Sequence, residues 1–137
     1  MKRLFIMAFA IAAISLVALA AQTAAPTSPT LGDRTTPLRA LNGEGNVAIS
    51  NAVLRDQSDI RVIRVVVEPG GKRAMHAHND VKFHLFIPVS GPMVVDLDGG
   101  QTANVPAWQP YYMKAGTQHG FHNTGSAAVE IMEVFVK

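Results

Sequence analysis

Short runs of branched and aromatic residues, separated by Gly and Pro, limit the fold of this chain more than any other feature. The run DIRVIRVVVEPGG alternates arginines with branched apolar residues and ends at Pro69-Gly70-Gly71. FHLFIPVSG and MVVDLDGG are further short runs that end in turn residues, and AAVEIMEVFVK alternates again. No segment after residue 40 has a helical period of adequate length. Many short strands punctuated by turn residues predict an all-β antiparallel sandwich or barrel.

The start of the chain has a different character. Lys2 and Arg3 precede a largely apolar run over residues 4–19, without any charged residue, which closes in small residues. This order is typical of a cleaved secretory signal peptide, predicted here over residues 1–20, and an uncleaved membrane anchor is the alternative. We therefore expect an exported protein, either periplasmic or secreted, that has no membrane contact after signal cleavage.

The remaining chain divides into a linker and one domain. Residues 21–40 are rich in Ala, Thr, Ser and Pro, which predicts a flexible linker whose end can lie against the domain. Residues 41–137 carry the strand pattern and are long enough to bury the core of a single domain.

The charge balance does not indicate a nucleic-acid partner. The whole chain has 12 Lys and Arg against 10 Asp and Glu, and Lys2 and Arg3 account for the surplus. Without the predicted signal peptide the counts are equal, and no basic patch interleaved with aromatic residues remains. We expect a small-molecule ligand or substrate rather than nucleic acid.

Cysteine is missing from the sequence. No disulfide can therefore stabilise the fold, and the apolar core must do so alone. Thiolate metal sites are excluded as well, so any bound metal must use nitrogen and oxygen ligands.

Three of the five histidines fall within residues 70–86. Side chains at i and i+2 of a strand share a face, so His76 and His78 are predicted to lie together, about 7 Å apart along the strand. His84 has the same parity but needs a chain reversal to join them, for which Asn79-Asp80 supplies suitable turn residues. We expect His84 to return on the neighbouring strand and meet the first two across the pair.

The other two histidines lie in KAGTQHGFHNTG. His119 shares strand parity with Phe121 and Asn123, whereas His122 points to the opposite face. The local sequence leaves open which of these faces is the inner one.

The stretch GGKRAMHAHNDVKFHLFIPVSG resembles the first motif of the cupin superfamily, G(X)5HXH(X)3–4E(X)6G. Gly70, His76 and His78 match its opening. The motif glutamate is missing, and counting back from the closing Gly91 puts His84 in its place.

The second cupin motif, G(X)5PXG(X)2H(X)3N, is matched in part. Gly116, His119 and Asn123 have the required spacing, whereas Trp108 and Lys114 replace its first glycine and its proline. The paired motifs cover nearly all of the predicted domain, and as a pair they are fairly specific.

The resemblance implies a small, RmlC-like cupin barrel of jelly-roll type, with a metal site at one mouth. The implied ligands are four histidines, in place of three histidines and a glutamate: His76, His78, His84 and His119. His122 is then expected at the surface. Four neutral imidazoles leave a divalent ion its full charge, which favours anionic or enolate-type ligands. We expect Fe(II), with Zn, Cu, Ni and Mn as alternatives, and the family tendency allows a homodimer.

Three functions are compatible with such a site. The first is a metal-dependent, dioxygenase-like oxidoreductase acting on a small molecule. The second is a binding module that captures a small molecule or metal without turnover. The third is a structural metal in a domain that serves as a partner surface, since four protein ligands close a tetrahedral zinc site.

Overall fold

Nine β-strands form the part of the chain that this computed structural model describes, residues 32–137. Their bounds, in chain order, are β1 Arg39–Ala40, β2 Val47–Asp56, β3 Ile60–His76, β4 Phe83–Pro88, β5 Met93–Leu97, β6 Thr102–Val105, β7 Tyr111–Lys114, β8 His119–His122 and β9 Val129–Val136. A single 3-10 turn at Asp98–Gly100 interrupts them, and residues 32–137 contain no α-helix. The all-β prediction is confirmed.

The strands pair in the order β6-β5-β8-β3-β9-β4-β7, with β2 also lying along β3 and β1 along β2. All of these pairings are antiparallel. The sheet curls into a nearly closed barrel because β3 belongs to two layers. Its first half pairs with β9, from Ile60↔Val136 to Val67↔Val129, and its end pairs with β8 at His76↔His119.

The long strand β3 differs from the expectation that the run ends at Pro69-Gly70-Gly71. The strand bends there and continues to His76. Gly70 has a φ of 71°, which L-residues rarely adopt, and a Cβ on Gly71 would lie 2.7 Å from the carbonyl oxygen of Ala48. The two glycines therefore let β3 leave β9 and join β8 without ending.

The predicted alternation of β9, and a like alternation in β4, divide their residues between the barrel interior and its outer surface. His84 and Phe86 face inward from β4, and Ile131, Glu133 and Phe135 face inward from β9. The core that they join contains Ile49, Val65, Val67, Met93, Val95, Val105, Met113, Phe121 and Val129. Burying an apolar side chain of this size contributes about 1.5–3 kcal/mol, so this cluster is the main source of stability in a fold without disulfides.

The end of the predicted linker is in contact with the sheet. The Gly32 amide donates to the Leu54 carbonyl at 2.8 Å, and Arg39–Ala40 pair with β2. The sheet thus begins two residues before the predicted domain start. The predicted signal peptide and residues 21–31 lie outside the described residues. Within residues 32–137, no helix has the length and apolar character needed to cross a bilayer.

Candidate metal centre

His76 and His119 face each other on the paired strands β3 and β8, with ring centroids 4.4 Å apart. Each ring is oriented by its own backbone, because Nδ1 lies 2.9 Å from the carbonyl oxygen of Ala74 or Thr117, respectively. An imidazole that donates from Nδ1 presents the lone pair of Nε2, and such second hydrogen bonds are typical of metal-binding histidines.

His78 completes a group of three. Its ring centroid lies 4.9 Å from that of His76 and 5.5 Å from that of His119. One ligand nitrogen from each of the three histidines lies within 4.8 Å of the other two, so the group could hold a metal ion. His76 and His78 were predicted to lie together because they share one face of a strand. In the structure β3 ends at His76, and His78 lies in the following loop.

His84 comes close by a different route from the one expected. Its ring centroid lies 5.3 Å from that of His78 and 5.1 Å from that of His119, but its nitrogens are not part of the three-histidine group. The prediction that it returns on the strand beside β3 is wrong, since β9 lies between β3 and β4. His84 instead approaches across the barrel interior, stacked on Phe135 with ring centroids 4.5 Å apart.

Glu133 is a site residue that the sequence analysis missed. It is the only charged residue on the inward face of β9, and its Oε1 lies 3.5 Å from Nε2 of His84. The motif position carries no glutamate, so the barrel interior receives its carboxylate from another strand. The sequence does contain a sign of this position. Glu133 follows Val129 and Ile131 at two-residue spacing, so it shares the face of the strand that these core residues occupy.

Five buried side-chain N and O atoms in the described part of the chain make no hydrogen bond, and all belong to this cluster; two of them, His84 Nε2 and Glu133 Oε1, are the pair 3.5 Å apart. They are His78 Nε2, His84 Nδ1, His84 Nε2, His119 Nε2 and Glu133 Oε1. An unpaired buried polar group costs about 1–3 kcal/mol, so five at one place need an explanation. A metal ion with nitrogen and oxygen ligands supplies one, and the donor set fits it chemically.

Comparison with known proteins agrees with this geometry. The family model described as "Cupin domain" matches residues 63–135. The chain belongs to the cupin domain family. A comparison with curated proteins gave no match.

Solved structures resemble the cupin in fold. The polyketide cyclase RemF from Streptomyces resistomycificus has a TM-score of 0.66 at 20% identity, over 74% of each chain. An RmlC-like cupin from Shewanella frigidimarina has a TM-score of 0.64 at 15% identity, covering 80% of this chain and 91% of its own. A "predicted oxalate decarboxylase" from Thermotoga maritima has a TM-score of 0.58 at 22% identity, covering 64% of this chain and 79% of its own.

The histidines of the cupin site favour the neutral form that metals require. Burial lowers the pKa of His76 and of His78 to about 4, and it also lowers the pKa of His119. Burial alone would raise the pKa of Glu133, but the adjoining imidazoles, His84 first, outweigh it and the pKa is lowered. At neutral pH His76, His78 and His119 are therefore neutral beside the carboxylate of Glu133, and these three imidazoles can bind a cation without losing protons.

Arg73 brings a positive charge to the same region. It pairs in register with the inward-facing Phe121, and its Nη1 donates to Oδ1 of Asn46 at 3.0 Å. Burial lowers the pKa of Arg73, with the charge of Glu133 opposing this, and the arginine charge in turn helps to lower the pKa of His76. A guanidinium held in this way is suited to binding an anionic group.

The fifth histidine lies apart from the centre. His122 points to the outer face of β8, half-buried, and its Nδ1 lies 2.9 Å from Oδ2 of Asp96.

Asn123, in the second motif, has a structural function. It is buried, and its amide donates to the carbonyls of Val67 and Ala127, so it ties the end of β8 to neighbouring segments.

Proposed function

We propose that this cupin is a metal-dependent, dioxygenase-like oxidoreductase that acts on a small anionic molecule. The observation that carries the proposal is the cluster of unpartnered buried nitrogen and oxygen atoms around His76, His78 and His119. A divalent first-row ion, with Fe(II) favoured over Zn, Cu, Ni or Mn, would supply Lewis-acid and redox chemistry there.

Each residue of the chain has a defined task in this proposal. His76, His78 and His119 hold the ion, and the hydrogen bonds of His76 and His119 to Ala74 and Thr117 fix the orientation of their rings. His84, predicted as the fourth ligand, competes for that position with Glu133. Four imidazoles would leave the ion its full charge, whereas the carboxylate would remove one unit.

The substrate class follows from charge. Arg73 carries the positive charge nearest to the three histidines along β3, and Asn46 holds its Nη1. The remaining guanidinium hydrogens can bind both oxygens of a carboxylate in a bidentate manner, or donate to a single enolate oxygen. The half-buried side of the site is formed by His76 and His78, so we place the substrate on that side.

The activities named for the similar structures, polyketide cyclisation and predicted oxalate decarboxylation, differ from each other and do not select a reaction.

Elemental analysis tests the ligand assignment. We expect the purified protein to carry a first-row metal, and the His76→Ala/His119→Ala double variant to carry none. His122→Ala is the matched control, since it removes an imidazole only three residues from His119 and should keep the wild-type metal content. Equal metal content in the double variant and the wild type would overturn the assignment.

Oxygen consumption tests the reaction class. The protein loaded with Fe(II) is mixed with a panel of small carboxylates and enolisable ketones, and oxygen uptake is followed at an electrode. We expect uptake that depends on one class of anionic substrate and is lost in Arg73→Gln at unchanged metal content. Metal-loaded protein that binds these compounds without consuming oxygen would exclude the oxidoreductase.

The second candidate is a binding module without turnover. It is favoured by the burial of His84, His119 and Glu133, which leaves little open space around the ion on their side. The metal discriminates here, because zinc with four protein ligands forms a closed structural site, whereas an octahedral ion with the same ligands keeps two open positions. X-ray absorption of the loaded protein would count the ligands directly.

We also propose that the protein is exported. The charged start, apolar run and small residues of positions 1–20 support this. Mass spectrometry of the protein from the exported fraction should find a new N-terminus after Ala20 or Ala21. A full-length chain that remains in the membrane fraction would favour the uncleaved anchor.

A further inference from the structure

The side chain of Asn46 joins the turn before β2 to the end of β3 through a single atom. Its Oδ1 accepts two hydrogen bonds, one from Nη1 of Arg73 at 3.0 Å and one from the backbone amide of Ala74 at 2.9 Å. The donors lie 27 and 28 residues further along the chain, so neither bond belongs to the turn itself. Asn46 is half-buried, which partly protects both bonds from competition with water.

Strand β3 needs this acceptor because its pairing is irregular at this point. Two of its residues, Ala74 and Met75, lie opposite the single Gly120 of β8 between regular pairs. Such an extra residue is a β-bulge, which interrupts the ladder of hydrogen bonds and redirects side chains. The pairing of β3 with β2 has ended two residues earlier, at Lys72. Oδ1 of Asn46 therefore replaces the strand acceptor that the amide of Ala74 would otherwise lack.

The residue that Asn46 holds also orients a candidate metal ligand. The carbonyl oxygen of Ala74 lies 2.9 Å from Nδ1 of His76 and fixes the direction of that ring. Asn46 thus binds the amide of Ala74 while His76 uses its carbonyl. A rotation of Ala74 would break both contacts together, so the ring of His76 depends on the amide of a distant side chain.

The backbone around Asn46 is shaped for a close approach to β3. Gly45 has a φ of 78°, and a Cβ on it would lie 3.1 Å from Cβ of Ala74. Ala48 has a φ of 46°, which a residue with a side chain rarely adopts, at an interruption of the β2–β3 register. Strained backbone persists only where surrounding contacts impose it, and it is concentrated at binding sites. The placement of Asn46 against β3 is therefore imposed by the fold.

Arg73, the second donor to Asn46, acts on the metal centre through its charge. Besides burial, which is the larger cause, the charge of Arg73 lowers the pKa of His76 and of His119. The oxygen that Asn46 offers to Arg73 belongs to a neutral amide. The guanidinium is thus held in place while its full positive charge remains available for an anion. A carboxylate at the same position would hold it equally well but would neutralise it.

We propose that Asn46 is a positioning residue that couples substrate binding to metal binding. One oxygen fixes the guanidinium that receives the anionic substrate and the residue that aims the ring of His76 at the metal. The inference rests on the proposed function, in which Arg73 binds the substrate and His76 the metal. A change at Asn46 should therefore alter both affinities, and a suitable replacement should separate them.

Two substitutions of Asn46 test the coupling, with Co²⁺ as the metal probe and acetate as the anion probe, both followed by the visible spectrum of the bound cobalt. Asn46→Ala removes both hydrogen bonds, so we expect the dissociation constants of Co²⁺ and of acetate each to rise at least about 10-fold. Asn46→Asp keeps an acceptor for Ala74 but neutralises Arg73, so Co²⁺ affinity should be kept and acetate affinity should fall as in Asn46→Ala. Asn104→Ala, which removes an exposed amide on β6, is the matched control and should change neither.

Amide hydrogen exchange of the metal-free protein gives a readout that needs no metal. The amide of Ala74 should be protected in the wild type and in Asn46→Asp, and should exchange at least about 10-fold faster in Asn46→Ala. The imidazole Nδ1 proton of His76, observed by NMR, should be lost or shifted in Asn46→Ala only.

The outcomes separate this proposal from the proposed function. If the wild type binds Co²⁺ and acetate and Asn46→Ala weakens neither or only one of them, the coupling is wrong and the proposed function stands. A wild type that binds no Co²⁺ contradicts the proposed function, and Asn46 is then a purely structural residue if Ala74 still exchanges faster in Asn46→Ala. If far-UV circular dichroism shows that Asn46→Ala does not fold, Asn46→Asp decides alone, and equal changes of its two affinities would overturn the proposal.

Discussion

The interior of the barrel has a polar end and an apolar body, and the same strands build both. On β4 His84 comes two residues before Phe86, on β8 His119 comes two residues before Phe121, and on β9 Glu133 comes two residues before Phe135. All six side chains are buried. The apolar body stabilises the fold, whereas the polar end contains five buried atoms without partners and therefore weakens the metal-free protein. The two regions are adjacent in space but should respond to mutation in opposite ways.

The largest expected effect is in the apolar body. Phe86 is fully buried against Phe121, so Phe86→Ala should lower the free energy of unfolding by about 3–5 kcal/mol, through lost burial and the cavity left behind. Urea denaturation measures this loss. Tyr112→Ala, on the exposed side of β7, is the control and should cost much less. A loss below about 1 kcal/mol for Phe86→Ala would remove the distinction between the two regions.

At the polar end, mutation should affect binding and spare the metal-free fold. His119→Ala removes a buried Nε2 that has no partner, which offsets part of the cost of the cavity and of the lost Nδ1 hydrogen bond to Thr117, so the free energy of unfolding of the metal-free protein should fall by less than in Phe86→Ala. Metal affinity, measured by competition with a chromophoric chelator, should fall at least about 100-fold, which is about 2.7 kcal/mol. If metal affinity is kept while the fold is lost, His119 is a core residue and no ligand.

Acidification should destabilise the metal-free protein because of the polar end. The pKa of His76 and of His78 is about 4 in the folded state against 6.5 without burial. The unfolded chain therefore binds protons first, and stability is complete above pH 6.5 and declines as the pH falls toward 4. The lowered pKa of Glu133 removes further stability below its ordinary value of 4.5.

Urea midpoints at several pH values between 7 and 4 measure this slope. We expect a total loss on the order of 1–2 kcal/mol, after allowance for the partial exposure of His76 and His78. His76→Gln should have a shallower slope than the wild type. A midpoint that is independent of pH over this range would mean that the histidines are not desolvated.

The smallest expected effect is electrostatic. The carboxylate of Glu133 raises the pKa of His78 and of His119, against the larger lowering by burial. Glu133→Gln should therefore lower both pKa values further, which an NMR titration of the imidazole protons detects in metal-free protein. Unchanged pKa values of His78 and His119 would show that the charge of Glu133 does not act on these histidines, and would leave His84 as the better fourth ligand.

Much of the fold could be predicted from local patterns. The alternation in β4 and β9 depends only on the two-residue period of a strand. The all-β class followed from short strands with Gly and Pro between them, and the resemblance to the cupin motifs implied the barrel. The end of β3 was not predictable in this way. Pro69-Gly70-Gly71 is equally compatible with a turn and with a bend inside a strand, and only the crossing from β9 to β8 distinguishes them.

The candidate site was predictable where motif spacing applies and unpredictable where the barrel closes. His76, His78 and His119 come together as the motif resemblance implies. The path of His84 was wrong, because strand order is a property of the whole sheet. The parity of Glu133 marks it as inward-facing. It was nevertheless missed, because nothing in the local sequence says which inward-facing residues of different strands come into contact.

By itself, the sequence determined the fold class, which residues of a strand share a face, and the exclusion of thiolate ligands. These properties depend on residue type and on the period of the strand, which are local. Tertiary structure alone decided that Glu133 joins the histidines and that His84 arrives from across the interior. Each of these is a meeting of residues distant in sequence, and it is the pairing order of the closed sheet that brings them together.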